Sequence, residues 1–454
     1  MDLKNKTVLV AGTGISGIGA CRLLDQVGAN IILYDSNKAL TREKILERLP
    51  ERIAPVTIVI GDLPQTVIEG LDLAVLSPGV PVDTPFVCRI RAAGVPVWGE
   101  VELAYNYSRG TLAGITGTNG KTTTTALTGE IMKAWSKQVF VVGNIGNSYT
   151  ASALETDDTS VTVAELSSFQ LETIENFRPK VSAVLNITPD HLDRHHTMQG
   201  YIEAKKRIFE NQKETDFTVL NYDDEETYKM AGETKAQVIF FSSHHVLEDG
   251  YYFQNGEIIY AVNGQTQLIC RDRDLNILGL HNMENVMAAV AVSHALGVPF
   301  DVITGVLKCF KGVEHRIEYV TQKRGVAYYN DSKGTNTDAA VKAIEAMVRP
   351  TLLIGGGYDK HVEFDDWIKA FKGKVRYLVL LGQTADQIEQ CAKKYGFMNV
   401  IRAESLAEAV NICAQYANEG DAVLLSPACA SWGMFTNYEE RGRMFKDYVR
   451  KLPD

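Results

Sequence analysis

The stretch Gly114-Ile115-Thr116-Gly117-Thr118-Asn119-Gly120-Lys121-Thr122 follows an apolar run that predicts a buried strand and precedes a segment that predicts a helix, Thr123 to Met132. A strand, a glycine-rich turn, a Lys-Thr pair and a helix are the parts of a phosphate-binding loop, whose backbone N–H groups face the phosphates. Lys121 would add a positive charge, and the Thr122 hydroxyl would bind Mg²⁺. The strict G-x-x-x-x-G-K-[ST] pattern fails because Ile115 replaces its first glycine. The flanking elements nevertheless favour ATP or GTP with Mg²⁺ over a chance glycine-rich turn.

The composition of the 454-residue chain limits its class. A chain of this length predicts about three domains, and a hydrophobic content of 45% is enough for sizeable cores. The net charge of -10, without a basic block, argues against nucleic acid and membrane surfaces as partners. Seven scattered cysteines without a C-x-x-C pair indicate neither a zinc site nor a disulfide framework. Because we find no signal peptide and no membrane-spanning apolar run, we expect a soluble, cytoplasmic protein.

The N-terminal region predicts alternating strands and helices around the turn Gly12–Gly17. This turn is a G-x-G-x-x-G fingerprint, and Asp35 follows it 18 positions after Gly17. Taken alone, the fingerprint indicates NAD or FAD. Glycines at a helix N-terminus suit any diphosphate, however, and Asp35 suits any hydroxyl or N–H donor, so UDP-linked ligands qualify equally. A further strand ends in Ser77-Pro78-Gly79, and the alternation predicts a parallel sheet covered on both faces.

Polar residues also follow the predicted strands of the central region. One strand ends in Gly143-Asn144, the next in Glu165 and the third in Asn186. A carboxylate one strand away from a phosphate loop is a good Mg²⁺ partner, and we prefer this interpretation of Glu165 to a surface strand end. The cluster from Asp190 to His196 lacks a partner set for zinc, so it favours hydrogen bonding or Mg²⁺-linked water. At least two of its three histidines are expected to be polar surface.

The last region predicts a third α/β unit whose strand ends carry Arg, Lys, Thr and Ser, which suit an anionic substrate. Its glycine-rich turns lack a Lys-Thr pair, so no second nucleotide loop is expected. The predicted fold is therefore α/β with three domains, at residues 1–99, 100–312 and 313–454. Each would be a mostly parallel sheet with helices on both faces: a Rossmann-like N-terminal domain, a phosphate-loop ATPase domain and a Rossmann-like C-terminal domain.

Several motifs resemble those of the Mur ligase family of peptidoglycan synthesis. They occur in the order typical of that family and extend over nearly the whole chain. The stretch Glu165 to Glu172 is most similar to the branch of the family that adds D-glutamate. The other similar motifs are the Gly117–Thr122 loop, His281-Asn282 to Asn285, His315-Arg316, Asn330 to Asn336, Ser426 to Ser431 and Asn437 to Gly442. Tyr358 and Trp432 depart from the common pattern, which leaves the details of the D-glutamate pocket open.

The resemblance implies a reaction and its substrates. ATP would phosphorylate the C-terminal carboxylate of UDP-N-acetylmuramoyl-L-alanine, and the amine of D-glutamate would attack the acyl phosphate. ADP and phosphate would then leave. It implies small-molecule partners, two Mg²⁺ ions and a monomer, with neither nucleic acid nor membrane insertion.

The resemblance also implies roles for residues of this chain. The residues expected to bind ATP are Gly117, Thr118, Asn119, Gly120, Lys121, Thr122, Thr123, Asn282, Asn285, Arg316 and Asp331. Those expected to bind the UDP-linked substrate are Ile15, Ser16, Asp35, Ser36, Gly79 and Asn144. Those expected around D-glutamate are Lys333, Thr335, Lys360, Ser431 and Tyr438. The expected catalytic residues are Lys121, Glu165, His191 and Lys205, and the expected metal ligands are Thr122, Glu165, His191 and Lys205.

Lys205 lies in a predicted helix, Tyr201 to Phe209, near the middle of its apolar stripe, whereas Lys206 lies at the flank. The pattern alone favours a lysine that snorkels or pairs with a charge. The resemblance instead implies a lysine carbamylated by CO₂, whose new carboxylate would bind a second Mg²⁺ beside His191.

Two other classes of protein remain open on sequence grounds. An NAD-dependent oxidoreductase built on Gly12–Gly17 would bind dinucleotide and would leave the Lys121 loop unexplained. A nucleotide-gated binding module without ligase chemistry would explain the loop but not the substrate-binding residues of the third domain.

Overall fold

The computed structural model describes residues 1–49, 56–144, 147–359 and 362–453. The chain divides into two compact units, each built from two segments. The first unit comprises Met1–Arg271 and Glu284–Val306, and the second comprises Asp272–Met283 and Leu307–Asp454. Two of the three sheets belong to the first unit and one to the second. The predicted class, α/β with three mostly parallel sheets flanked by helices, is confirmed, whereas the boundaries after residues 99 and 312 stay predictions.

The first sheet has five parallel strands in the order β3-β2-β1-β4-β5. Its strands and helices, in chain order, are β1 (Thr7–Ala11), α1 (Ile15–Gln26), β2 (Asn30–Asp35), α2 (Arg42–Leu46), β3 (Thr57–Ile60), α3 (Gln65–Ile68), β4 (Leu73–Leu76), α4 (Pro85–Ala92), β5 (Val97–Gly99) and α5 (Glu100–Tyr107). The chain continues from β1 to β2 on one side and later to β4 on the other. This change of direction opens a crevice at the carboxyl ends of the strands, where such sheets bind ligands.

The second sheet has nine strands in the order β14-β13-β12-β11-β10-β9-β6-β8-β7. Its pairs are parallel except for the two that join β12, β13 and β14. Its first elements are β6 (Thr111–Thr116), α6 (Lys121–Trp135), β7 (Val139–Gly143), α7 (Tyr149–Ser152), β8 (Val161–Glu165), α8 (Ser168–Leu171), β9 (Val181–Val184), α9 (Leu192–His195) and α10 (Met198–Lys206). The later elements are β10 (Phe217–Asn221), α11 (Glu225–Met230), β11 (Gln237–Ser242), β12 (Gly250–Gln254), β13 (Glu257–Val262), β14 (Gln265–Arg271), α12 (Leu280–Ala295) and α13 (Phe300–Cys309). Short 3₁₀ helices lie at Ala153–Glu155, Arg207–Phe209 and Asp272–Asp274.

The third sheet has six strands in the order β15-β16-β20-β17-β18-β19, of which only the pair β15–β16 is antiparallel. Its elements are β15 (Glu318–Lys323), β16 (Val326–Asn330), α14 (Thr337–Ala346), β17 (Thr351–Gly355), α15 (Asp365–Lys369), β18 (Val375–Leu380), α16 (Ala385–Lys394), β19 (Val400–Arg402), α17 (Leu406–Tyr416), β20 (Ala422–Leu425) and α18 (Tyr438–Arg450).

Central strands are apolar without alternation because both of their faces are covered. In β1, Val8 and Val10 enter one apolar core while Leu9 enters another. In β20, Leu424 and Val423 likewise enter different cores. Successive side chains of a strand point to opposite faces, so a strand with two buried faces needs a continuous apolar run.

No helix in the described part of the chain has both the length and the apolar character needed to cross a membrane.

Candidate active site

The phosphate-binding loop connects β6 to α6 as the sequence predicts. Gly117 and Gly120 both have left-handed backbones, with φ of +148° and +84°. A Cβ atom on Gly120 would lie 2.2 Å from Oδ1 of Asn285, and one on Gly117 would lie 3.0 Å from Cβ of Leu185. Both the backbone conformation and the close packing therefore require glycine. Gly120 directly precedes Lys121, so the N-terminus of the 15-residue helix α6 points its N–H groups into the loop.

The segment that follows β9 and the helix α10 hold the loop in shape. Asn186 follows β9, and its Oδ1 accepts from the Asn119 N–H at 2.8 Å while its Nδ2 donates to the Asn119 carbonyl at 3.1 Å. The Thr118 hydroxyl lies 3.0 Å from the Tyr201 hydroxyl and accepts from the Thr188 N–H at 3.0 Å. The loop is thus anchored by contacts within the protein.

Two lysines meet at one carbonyl of the loop. Nζ of Lys121 donates to the Gly117 oxygen at 2.9 Å, and Nζ of Lys205 donates to the same oxygen at 2.8 Å. Lys205 is 1% exposed, and its Nζ lies 4.7 Å from the centre of the Tyr201 ring. Burial, and secondly the charge of Lys121, lower the pKa of Lys205 well below its usual range. The sequence prediction that Lys205, rather than Lys206, lies in the apolar stripe is confirmed, since Lys206 instead pairs with Glu203 and Glu233.

Glu165 is a buried carboxylate beside the phosphate loop. It ends β8 and pairs in register with Ile115 of β6, which places it one strand away from the loop. Its Oε1 accepts from Nδ2 of Asn144 at 3.0 Å. Its Oε2 is buried without a hydrogen-bond partner among the described residues, although burying such an oxygen unpaired is costly. With the buried Thr122 in the first turn of α6, this oxygen fits the oxygen ligand set that Mg²⁺ requires.

The segment around α9 presents histidines next to Phe169. His191 and His196 flank α9 with left-handed backbones, at φ of 51° and 63°. Both side chains are exposed, whereas His195 is buried and its Nε2 lies 2.9 Å from the Ser168 hydroxyl. The expectation that two of the three histidines are surface residues is confirmed. The Phe169 ring lies 4.8 Å from that of His191, so His191 packs on the segment that follows Glu165.

Two other groups of potential metal ligands occur among the described residues. Their ligand atoms lie within 4.8 Å of one another in Asp223–His244–Glu284 and in Glu314–His315–Glu318. Asp223 already accepts hydrogen bonds on both oxygens from the β11 end, and Nζ of Lys446 lies 2.6 Å from Glu314 and 2.9 Å from Glu318. Both groups are therefore explained by internal pairing.

The glycine-rich turn after β1 lies in the crevice of the first sheet. A Cβ atom on Gly17 would lie 1.9 Å from the Gly12 carbonyl oxygen, so the α1 N-terminus packs directly on the turn. Asp35 accepts from the Thr13 N–H at 3.2 Å and from the Thr13 hydroxyl at 2.7 Å. Next to the turn is a cavity of about 490 Å³ whose lining includes Ile15 and Arg48. An anionic or nucleotide-sized group fits this position.

In the second unit, polar groups gather where β16 and β20 end. The buried Asp331 accepts from the Ser426 hydroxyl at 2.7 Å, and burial raises its pKa to about 7. Buried Arg441 donates to the hydroxyl and the carbonyl of Ser332, and burial lowers its pKa to about 10. Nζ of Lys333 lies 5.8 Å from the centre of the Tyr438 ring. Cations and hydroxyls thus surround the strand ends that sequence reasoning assigned to an anionic substrate.

Comparison with known proteins shows that the segments carrying these sites match the domains of one protein family. Three family models match in order: the Mur ligase MurD-like N-terminal domain at residues 6–99, the Mur ligase middle domain at 115–293, and the Mur ligase glutamate ligase domain at 315–429. A protein of Lachnospira eligens named UDP-N-acetylmuramoylalanine–D-glutamate ligase is 58% identical over 453 residues, covering 100% of both chains.

The chain belongs to the Mur ligase family.

Other relatives and solved structures agree with this assignment. Proteins of the same name from Lachnoclostridium phytofermentans and Clostridioides difficile are 55% and 47% identical to this Mur ligase, each over 100% of both chains. The crystal structure of UDP-N-acetylmuramate–alanine ligase MurC from Thermotoga maritima is 18% identical, with a TM-score of 0.60, and covers 98% of this chain and 99% of its own. That likeness concerns the fold. As a Mur ligase, the protein is an ATP-dependent ligase of peptidoglycan precursor synthesis that works with Mg²⁺.

The structure gathers the predicted site residues of this Mur ligase into separate groups. In the first unit, Gly117–Thr123, Glu165, Asn144, Lys205 and Asn285 lie at or near the phosphate loop, and Ile15, Ser16, Asp35, Ser36 and Gly79 lie at the first-sheet crevice. In the second unit, Arg316, Asp331, Lys333, Thr335, Ser431 and Tyr438 lie around the ends of β16 and β20, while Asn282 donates to the Leu278 carbonyl. Lys360 lies outside the described residues. The ligand roles of all these residues stay predictions.

Sequence reasoning gave no role to four residues that shape the site: Asn186, Tyr201, Phe169 and Arg194. Each lay within a segment that the sequence singled out, either as a strand end, an apolar stripe, a motif or a polar cluster. The sequence did not reveal the residues that these side chains contact, because a contact with a distant loop leaves no periodic pattern.

Proposed function

We propose that this Mur ligase joins D-glutamate to UDP-N-acetylmuramoyl-L-alanine through an acyl phosphate formed with ATP. The observation that carries the proposal is the 58% identity, over the entire chain, to a protein with the corresponding name. The match of a MurD-like N-terminal domain to residues 6–99 supports the choice of UDP-linked substrate within the family. We also propose that the protein is a monomer, and that it acts in the cytoplasm on small-molecule precursors.

Phosphoryl transfer needs mainly positioning and neutralisation of charge. Lys121 is the first residue of α6. When the phosphates bind, its ammonium would leave the Gly117 and Thr118 carbonyls and bind them instead. Glu165 and Thr122 would hold Mg²⁺, and the unpaired Oε2 of Glu165 supports this role. When bound, the ion would neutralise the charge on the phosphates. Asn285, whose Oδ1 is packed against Gly120, would position the nucleotide base.

We further propose that Lys205 is carbamylated and, with His191, binds a second Mg²⁺. In this step the lone pair of the neutral Lys205 amine attacks the carbon of CO₂, a C–N bond forms, and one proton leaves to solvent. The neutral amine is the reactive form, so the lowered pKa of Lys205 supports the proposal. The product is a carboxylate, and carboxylate oxygens are preferred Mg²⁺ ligands.

The second unit would bind D-glutamate through the cationic and hydroxyl groups of Lys333, Thr335, Lys360, Ser431 and Tyr438. Two carboxylates on the amino acid require several such donors. The exposed Trp432 lies 5.6 Å from Tyr358 in an edge-to-face pair next to Ser431. These two aromatic rings would shape the mouth of the pocket.

The test of the function is phosphate release from ATP. We expect release only when UDP-N-acetylmuramoyl-L-alanine and D-glutamate are both present, with a matching increase in the amide product detected by mass spectrometry. L-Glutamate, D-alanine and meso-diaminopimelate, assayed at the same concentration, serve as controls. Equal phosphate release with any of these amino acids would contradict the proposed acceptor.

A separate expectation concerns the first sheet, which should bind UDP rather than NAD. The ATP loop is proposed at Gly117–Thr122, apart from the first sheet, and the MurD-like match includes Gly12–Gly17. Titrating the protein with UDP-N-acetylmuramoyl-L-alanine should give a saturable calorimetric signal, and NADH should give none. Tight NADH binding without a response to the UDP ligand would instead favour the oxidoreductase hypothesis.

A further inference from the structure

Arg194 joins the loop after β4 to the segment that carries His191. Its Nη2 donates to the Val80 carbonyl oxygen at 3.1 Å and to the Glu172 carboxylate at 2.6 Å. The side chains of Arg194 and Glu172 are each only 12% exposed. A largely buried, charge-assisted pair is stronger and more sharply oriented than a surface ion pair. Arg194 therefore holds a defined position relative to the backbone of Val80.

The Val80 loop contacts the glycine-rich turn of the first sheet. The Val80 N–H donates to the Ser77 carbonyl at 2.9 Å and closes a tight turn around Gly79. A Cβ atom on Gly12 would lie 2.7 Å from the Ser77 hydroxyl oxygen and 3.6 Å from Cγ2 of Val80. A ligand bound between the turn and Gly79 would therefore lie next to the backbone whose Val80 carbonyl accepts from Arg194.

Phe169 carries the connection from Arg194 to the histidine. The guanidinium carbon of Arg194 lies 5.0 Å from the centre of the Phe169 ring, within the range of a cation–π interaction. The same ring lies 4.8 Å from that of His191 and 5.5 Å from that of His195. Half of the His191 side chain is exposed, and its Nε2 lies 3.6 Å from a carboxylate oxygen of Asp190. The Phe169 ring and Asp190 therefore both limit the rotation of His191.

Glu172 links Arg194 to His195. One of its oxygens accepts from Arg194, and the other lies 3.3 Å from Nδ1 of His195. His195 in turn lies 2.9 Å from the hydroxyl of Ser168, the residue that precedes Phe169. Glu172 directly follows α8 and Arg194 lies in α9, so their ion pair joins the two short helices. Movement of Arg194 would therefore be transmitted to both helices.

We propose that Arg194 is a positioning residue that couples binding of the UDP-linked substrate at Gly79–Val80 to the orientation of His191 for Mg²⁺. The inference rests on the proposed function, which assigns those two ligands to the two ends of the connection. Arg194 acts through the Val80 carbonyl and the Phe169 ring. If the ends are coupled, each ligand must strengthen the binding of the other by the same factor.

The test is a binding cycle on the full-length protein. The Kd of UDP-N-acetylmuramoyl-L-alanine is measured by calorimetry with a non-hydrolysable ATP analogue, once with Mg²⁺ and once without it. Mg²⁺ also binds the diphosphate of the ligand in every variant. The quantity compared between variants is therefore the ratio of the Kd without Mg²⁺ to the Kd with Mg²⁺. In Arg194→Met the Mg²⁺-dependent ratio should fall by about tenfold, which is within the range typical of coupling between two binding sites. Arg194→Lys keeps a charge and should recover part of the ratio.

Arg178→Met is the matched control. Arg178 is another arginine of the first unit that pairs with a buried carboxylate, that of Asp216 at 2.7 Å, although its own side chain is more exposed, at 31%. Its substitution should leave the ratio at the wild-type value. An unchanged ratio in Arg194→Met would overturn the proposal, and so would an equal fall in Arg178→Met, which would indicate general loosening. Wild-type protein that fails to bind the UDP ligand would contradict the proposed function instead.

Discussion

Replacing Lys121 by alanine should reduce ligase turnover by about a thousandfold or more, because the main cation of the phosphate loop is then lost. In the structure, the Lys121 ammonium donates to the Gly117 and Thr118 carbonyls, both at 2.9 Å. The ammonium therefore lies at the loop. The measurement is phosphate release under saturating substrates, together with the thermal unfolding midpoint.

Lys133→Ala is the matched control for this prediction. Lys133 lies on the same helix, α6, and pairs with Glu130 on the exposed surface. Its removal should change turnover by less than about twofold, as expected for a surface substitution. Near-normal turnover of folded Lys121→Ala protein would contradict the role of the loop. Binding of UDP-N-acetylmuramoyl-L-alanine should survive in both variants, since the first-sheet crevice is unchanged.

Lys205→Ala should lose at least about a hundredfold in turnover, comparable with removing one charge-stabilising group from an active site. Formate or acetate should restore part of this activity, because a small carboxylate fills the space left by the carbamate and supplies oxygen ligands. The measurement is phosphate release as a function of acid concentration. Independently, ¹³C-bicarbonate should give a carbamate carbon signal in the wild-type protein and none in Lys205→Ala.

Lys206→Ala separates this chemistry from a structural effect. Lys206 is adjacent on α10 but pairs with Glu203 and Glu233. Its substitution should leave the carbamate signal and turnover intact. If Lys205 only supports the loop through its bond to the Gly117 carbonyl, Lys205→Ala will lose activity that no acid restores, and the carbamate signal will be missing from the wild type as well.

The elements with strong apolar patterns were predictable from sequence. The alternating strands and helices of the N-terminal region were predicted, because buried parallel strands such as Thr7–Ala11 and Leu73–Leu76 require continuous apolar runs. Strand β14 was missed, since its first four residues are exposed and Gln-Thr-Gln carries little apolar signal. Its antiparallel pairing with β13 decides its structure, and pairing depends on the neighbour more than on the strand itself.

The site was predictable wherever a short motif carries its own geometry. The phosphate loop was recognisable despite Ile115, because the turn glycines and the helix start suffice to orient the N–H groups. Periodicity correctly placed Lys205 in the apolar stripe of α10, but the pattern alone favoured a lysine that snorkels or pairs with a charge. It could not show that the buried amine reaches the Gly117 carbonyl, 88 residues away. Arg194 and Val80 are 114 residues apart. Such contacts arise only when distant strands assemble into one sheet or adjoining sheets.

The divided second unit affects the order in which the chain can fold during synthesis. The segment Asp272–Met283 belongs to the second unit but is made before Glu284–Val306 of the first. In the finished protein, Ile277 is 8% exposed and Leu278 packs on the core of the second unit. While the ribosome is still translating the later strands, these apolar side chains have no core to enter. Nascent or truncated chains ending near Val306 therefore expose a stretch that favours aggregation or chaperone binding.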